Sequence, residues 1–237
     1  MSGHNKWSQI KHKKAKEDGK KAQAFTRLIK EITVAAKHGG GDPAHNPTLR
    51  FLLDQAKAIN MPLENATRAI KRGTGELPGV HYEPFTYEGH AQHGIAIMVE
   101  TLSDNKNRTV AELRHIFSSH GGHLGEAGSV SWMFDHYGCI RIGEKIAEEK
   151  LLEELIEFDI IDIKTSEDHT IITCQTKAVE PIRNALKQRG YTIESAQFEW
   201  IAKNTVTLND NESQSVIELL DELEEHDDVQ NLYTTLG

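Results

Sequence analysis

The amino-acid sequence predicts a multidomain α+β chain, with a small helical module at the N-terminus followed by two α+β domains. Three observations carry this. The apolar residues recur with a period of 3.6 as far as Gly73 and with a period closer to 2 beyond Gly79. From Gly138 to Trp200 the pattern reads strand, helix, strand, strand, helix, strand, the order of a ferredoxin-like module. The charge also changes sign along the chain. Residues 1–73 hold 15 Lys and Arg against 6 Asp and Glu, a net of +9, and the remainder holds 12 against 30, a net of −18.

In the first segment, Phe25, Leu28, Ile29, Ile32 and Ala36 form one helix face, which His38-Gly39-Gly40-Gly41 stops. Asn46-Pro47 starts a second helix, with the asparagine as N-cap and the proline at the first helical position, carrying Leu49, Leu52, Leu53, Ala56 and Ile59. Asn60-Met61-Pro62 ends it, and a third helix with Leu63, Ala66 and Ile70 finishes at Gly73. Strands are expected at Tyr82–Tyr87 and Gly94–Glu100, then a helix opened by the capping box Thr109-x-x-Glu112, a glycine-rich loop at Gly121–Gly128 and a strand at Ser129–Phe134.

The regular module then reads as strand Cys139–Ile142, helix Ala147–Phe158, strands Ile160–Thr165 and Thr170–Thr176, helix Val179–Arg189 and strand Thr192–Trp200. The last elements, strand Thr205–Leu208, helix Ser213–Glu225 and strand Val229–Thr234, are too few to stand alone. They are expected to complete the unit begun at residue 80. The boundaries that follow are 1–79 for the basic arm and helical domain, 80–136 with 204–237 for a discontinuous α+β domain, and 137–203 for an inserted ferredoxin-like domain.

At 237 residues and 26.6 kDa the chain can bury a core without staples. Cys139 and Cys174 stand apart in apolar runs with no C-x-x-C spacing and no secretory leader, so both are expected as buried thiols of a reducing cytosol. Apolar runs such as Ile95–Val99 fall far short of the roughly 18–20 residues that span a bilayer, so no membrane contact is expected. A cytoplasmic location follows.

The N-terminal arm holds the densest chemistry. Lys6, Lys11, Lys13, Lys14, Lys16, Lys20, Lys21, Arg27 and Lys30 face only Glu17 and Asp18 within the first thirty residues. A polycation of this kind displaces the counterions condensed on a phosphate backbone. Trp7, among Lys6, Lys11 and His12, offers a ring to stack on an unpaired base. The competing reading is a solubilising tail whose tryptophan packs back on the helices. Arg50, Lys57, Arg68, Lys71 and Arg72 extend the basic character along the helices, although charged residues opposite an apolar stripe serve any solvated helix. Lys106 and Arg108, in Asp104-Asn105-Lys106-Asn107-Arg108, precede a helix N-terminus where orphan N–H groups favour an anion, or where a plain capped turn would suffice.

Other chemistries lack their residues. His115, His120 and His123, near Asp135 and His136, have no H-E-x-x-H spacing, so no metal is expected. The glycines at 121, 122, 125 and 128 do not spell a dinucleotide fingerprint, and neither G-K-[ST] nor G-x-S-x-G occurs, so no cofactor and no catalytic set are expected. The acidic runs Glu148-Glu149, Glu153-Glu154 and Glu222-Glu224-Glu225-Asp227-Asp228 read as solvated helix surface, repelling phosphate and suited to a basic protein partner.

Several motifs in order resemble the YebC/PmpR family. They are Gly3-His4-Asn5-Lys6-Trp7-Ser8-Gln9-Ile10-Lys11-His12-Lys13-Lys14, Gly39-Gly40-Gly41-Asp42-Pro43, Asn60-Met61-Pro62, Ala69-Ile70-Lys71-Arg72-Gly73, Asp104-Asn105-Lys106-Asn107-Arg108-Thr109 and Asp228-Val229-Gln230-Asn231-Leu232-Tyr233. The resemblance runs end to end. It implies a three-domain plan and a non-enzymatic role in gene expression, members being described as probable DNA-binding transcriptional regulators, mitochondrial relatives as translational activators, and bacterial ones as linked to the ribosome. The expected partner is therefore DNA, or ribosomal RNA and the ribosome in the alternative.

Overall fold

The computed structural model describes residues 17–237, with side chains from residue 22. The chain divides into two compact units. One comprises the residues up to Trp132 together with Asn204–Gly237, and the other is the continuous stretch Met133–Lys203 between them.

The first unit opens with three helices, α1 (Glu17–Gly39), α2 (Pro47–Ala58) and α3 (Leu63–Gly73). Asn46 acts as the N-cap of α2: its Oδ1 accepts the Leu49 N–H at 3.0 Å, while its Nδ2 donates to the carbonyls of Ala35 and Gly40, both at 2.9 Å. One side chain therefore closes the turn between α1 and α2 from both sides. Asn60, at φ 57, ends α2 in the left-handed region that asparagine tolerates. Ile32, Leu49, Leu52, Ala66 and Ala69 form the helical core. The closest approach is at Gly73, where a β-carbon would run into the Thr33 carbonyl oxygen and the Ala36 methyl of α1.

The same unit holds an antiparallel sheet, β3-β1-β2-β8, from β1 (Glu83–His90), β2 (Ala96–Ser103), β3 (His123–Leu124) and β8 (Val229–Thr234). The central β2 is buried along nearly its whole length, which accounts for its continuous apolar run. Two helices, α4 (Lys106–Ser119) and α7 (Asp210–Glu225), pack through Leu113, Phe117, Leu219, Leu220 and Leu223 into a core with Ile97 and Val99. A reciprocal capping box between Asn209 and Glu212 starts α7.

The second unit is a four-stranded antiparallel sheet in the order β5-β6-β4-β7, from β4 (Phe134–Ile142), β5 (Ile160–Thr165), β6 (Thr170–Cys174) and β7 (Ile193–Ala202). Its helices α5 (Glu148–Glu154) and α6 (Val179–Gln188) bury Leu151, Leu155, Ile182 and Leu186 against Ile140, Ile142, Ile163 and Ile172. Gly138 has no side chain where Val179 at the start of α6 meets β4. The strand and helix order expected for a ferredoxin-like module is present, and the chain as a whole is α+β.

Four elements differ from expectation. The helix after β2 starts at Asn105, whose Oδ1 caps the Arg108 N–H at 3.1 Å, and Thr109 is a buried residue of its first turns rather than its cap. The expected strand Ser129–Phe134 is a loop and a 3-10 turn (Ser131–Met133) leading into the longer β4. The reason is Glu88, whose buried carboxylate accepts the N–H groups of Gly128, Val130 and Ser131 at 2.6–2.8 Å and so curls the backbone away from a ladder. Thr205–Leu208 makes only an isolated bridge, Val206 to Leu236. The helix expected over Ala147–Phe158 is the shorter α5. Cys139 and Cys174 are buried free thiols, and burial pushes Cys174 up to about 11.

Gly73→Ala is expected to lower stability by about 1–3 kcal/mol through overpacking, read as a shift in the denaturant midpoint with unchanged slope.

Candidate nucleic-acid interface

The expected site residues fall into three groups. Lys6, Trp7, Lys11, His12, Lys13, Lys14 and Lys16 lie outside the described residues, and Lys20 and Lys21 lie on the backbone of α1 with side chains outside that set. A second group is presented outwards. On α3 the buried positions are Ala66 and Ala69, and the opposite side of the helix carries the exposed Arg68, Lys71 and Arg72 at helical spacings of three and four. Arg68 is shared with Glu64 at 2.5 Å, an exposed pair of small energetic weight. Lys37, Arg50 and Lys57 are exposed on the neighbouring helices. Lys106 is exposed in the first turn of α4 with its ammonium 5.4 Å from the Phe85 ring centre.

The third group is engaged by the protein's own polar groups: Arg27 and Lys30 are turned inwards, and Arg108, its side chain 43% exposed, reaches a buried carboxylate. Arg27 donates to the Glu224 carbonyl at the end of α7, and burial lowers its pKa against the pull of Glu224. Lys30, one turn further along α1, is 7% exposed and its Nζ lies 2.6 Å from Asp228 Oδ1, whose side chain is 3% exposed. The same ammonium donates to the Asp227 carbonyl at 2.9 Å and the Leu102 carbonyl at 3.4 Å. The other Asp228 oxygen accepts from Arg108 Nη2 and from the Thr109 hydroxyl, both at 2.7 Å. Ser103 bonds the Thr109 hydroxyl in turn at 2.6 Å. Three cations expected to meet a ligand, Arg27, Lys30 and Arg108, are therefore bound by the protein's own acidic groups.

Burial alone would raise the Asp228 carboxyl. The hydrogen bonds from Lys30, Thr109 and Arg108 outweigh it and hold the group well below the usual carboxylate range. The bond to Asp228 raises Arg108 correspondingly. Asp228, expected as solvated acid, is a buried anion because it closes the turn between α7 and β8 against α1 and α4. Its only sign in the sequence is that it and Arg108-Thr109 both fall in family-like motifs; neither hydropathy nor charge pattern marks the pair.

A cleft of about 520 Å³ borders this cluster, its lining including Thr26, Lys30, Tyr82, Arg108, Glu112 and His226. Glu112, His226 and Asp228 place one ligand atom each within 4.8 Å of one another. They form a hydrogen-bonded chain instead of a cation-ready set. The Asp228 N–H donates to His226 Nδ1 at 3.1 Å, so the proton of the neutral ring sits on Nε2 and is given to Glu112 at 3.0 Å. Both Asp228 oxygens are already taken by cationic donors. Of the other histidines, His120 bonds Glu222 at 2.6 Å and His123 stacks on His90.

Comparison with known proteins agrees along nearly the whole chain. Residues 5–76 match the family model for the TACO1/YebC protein N-terminal domain, and residues 82–236 match that for the TACO1/YebC second and third domain. A probable transcriptional regulatory protein of Dictyoglomus turgidum is 47% identical over 235 residues, covering 98% of this chain and 94% of the relative. A protein of the same name from Geobacter sulfurreducens is 48% identical over 233 residues, with the same coverage of each chain. The crystal structure of a conserved hypothetical protein from Aquifex aeolicus superposes with a TM-score of 0.86 at 44% identity, covering 98% of this chain and 96% of that one.

Asp228→Asn leaves the buried Lys30 ammonium with carbonyl partners alone and is expected to cost about 3–5 kcal/mol in denaturant unfolding, and Lys30→Met is expected to cost less, since Arg108 still meets Asp228. A carboxyl with a depressed folded pKa contributes stability that is complete above its unfolded value and declines as pH falls towards the folded one. Wild-type stability is accordingly expected to fall with pH below about 4, and Asp228→Asn to lack that part of the dependence, read from unfolding midpoints across the acid range.

Proposed function

The chain belongs to the TACO1/YebC family, and from that membership we propose that it regulates gene expression by binding nucleic acid without catalysing a reaction, as a transcriptional regulator on DNA. The observation that carries the reading is the distribution of charge. The segment before Gly73 has a net charge of +9 in a chain whose total is −9, and Arg68, Lys71 and Arg72 extend it on the outer side of α3. Phosphate affinity is thereby concentrated at one end of the chain, and the acidic remainder largely repels phosphate and suits a basic protein partner. The names of the Dictyoglomus and Geobacter relatives support the transcriptional form of the reading.

In this scheme the Lys-rich arm gives ionic affinity and Trp7 a stacking contact. Lys106 and the α3 cations add further phosphate contacts. Arg27, Lys30 and Arg108 act indirectly, by holding α1 and α4 to the α7–β8 turn.

The test is crosslinking in cells with DNA and RNA both recovered. Enrichment at promoters is expected, whereas enrichment in ribosomal RNA would replace transcription with translation, and enrichment in neither would remove nucleic acid from the reading. With purified protein on duplex DNA, log K against log[salt] is expected to fall with a slope of about −5 to −8, for roughly 6–9 neutralised phosphates. Deleting residues 2–16, all ahead of α1, is expected to abolish most of that affinity with little change in the thermal transition. Undiminished binding by the shortened chain would sink the arm's role.

A further inference from the structure

Strand β5 is an edge of the second sheet, and among the described residues no strand pairs with its outer side. The turn into β6 is closed by the Ser166 N–H donating to the His169 carbonyl at 2.8 Å. Alternation of the antiparallel ladder from that bond directs the peptide groups of Ile163 and Thr165 to the outer edge. The Thr165 N–H is covered there by Glu148 at 3.3 Å, which leaves Ile163 as the centre of the open stretch.

Apolar surface gathers beside it. Of the eight large hydrophobic side chains exposed among the described residues, three come from β5 and the helical segment that packs on it: Leu152 at 50%, Ile156 at 81% and Ile161 at 46%. Helix α5 packs on β5; Leu151 and, just past the helix end, Leu155 are buried in the core, whereas Leu152 and Ile156 beside them are exposed. Ile161 projects because a bulge between Ile160 and Asp162 leaves it without a ladder partner.

We infer that this edge binds a second copy of the same chain, two β5 strands pairing antiparallel about Ile163. The charges select the partner. Asp162 and Lys164 lie on one face of β5 with their charged groups 3.5 Å apart. A two-fold centred on Ile163 sets Asp162 opposite Lys164 of the other copy, and Lys164 opposite its Asp162. A two-fold centred on Asp162 or on Lys164 instead sets like charges face to face, which disfavours those registers. Isologous contacts of this kind are self-complementary by construction. The pairing joins two four-stranded sheets into one and brings Leu152 and Ile156 of the two copies to the same seam.

The test is sedimentation of the full-length chain from about 1 µM to about 1 mM, a range that covers weak and moderate affinities. A monomer–dimer equilibrium is expected. Asp162→Lys and Lys164→Asp, both at solvent-facing sites, are each expected to weaken it by about tenfold or more, since each variant opposes like charges across the seam. An equimolar mixture of the two variants is expected to restore dimerisation, because a strand with two lysines then meets one with two aspartates. Ile156→Asp is expected to weaken it without changing the thermal transition. A monomer throughout the range, undiminished dimers in the single variants, or no recovery on mixing would each overturn the inference.

Discussion

The Asp228 carboxylate is the joint on which the first unit depends. Its two oxygens receive an ammonium from α1, a guanidinium and a hydroxyl from α4, and the ammonium also takes up backbone carbonyls at the end of β2 and in the α7–β8 turn. An ion pair this deep gives little net stability over a well-packed apolar substitute, because two charges lose their water. Its contribution is of another kind: every donor and acceptor it buries must be matched in one arrangement, so a helix that docked elsewhere would strand a charge.

That requirement divides cations which composition counts as equal. Arg27, Lys30 and Arg108 neutralise Glu224 and Asp228 and set the placement of α1 against the sheet. Arg68, Lys71 and Arg72 sit across α3 from Ala66 and Ala69 and keep their field in solvent. The glycine at the end of the same helix matters equally, since α3 lies against α1 only where Gly73 has no side chain to hold it off. Charge placed outside and contact placed inside are thus written into a single short helix.

Local signals in the sequence agree with the structure wherever local physics decides. Asn46-Pro47 caps α2, and β5 and β8 span Ile160–Thr165 and Val229–Thr234, the limits expected from the sequence. Local signals mislead where a distant side chain overrules local preference. Thr109 has the look of an N-cap, yet Asn105 takes that place and the threonine hydroxyl turns to Asp228, more than a hundred residues away. Ser129–Phe134 carries the apolar content of a strand, yet Glu88 gathers its N–H groups. Asp228 lies in an acidic run like any solvated one, and only the approach of α1 and α4 makes it a buried centre. The cations are legible by type, but which of them the protein's own acidic groups bind is not, because that depends on the partner segment.

The insertion of Met133–Lys203 between the two stretches of sequence that form the first unit has a consequence for synthesis. Lys30 and Asp228 are 198 positions apart, and at about 5–20 residues per second the ribosome delivers the aspartate roughly 10–40 s after the lysine. Once residue 202 is made, the intervening sheet has all its strands, while β2 still lacks its neighbour β8 and Leu113 and Phe117 still lack the cover of α7. The nascent chain therefore carries a finished inner module inside an unfinished outer one, and the outer one closes only with the last helix and strand to be made.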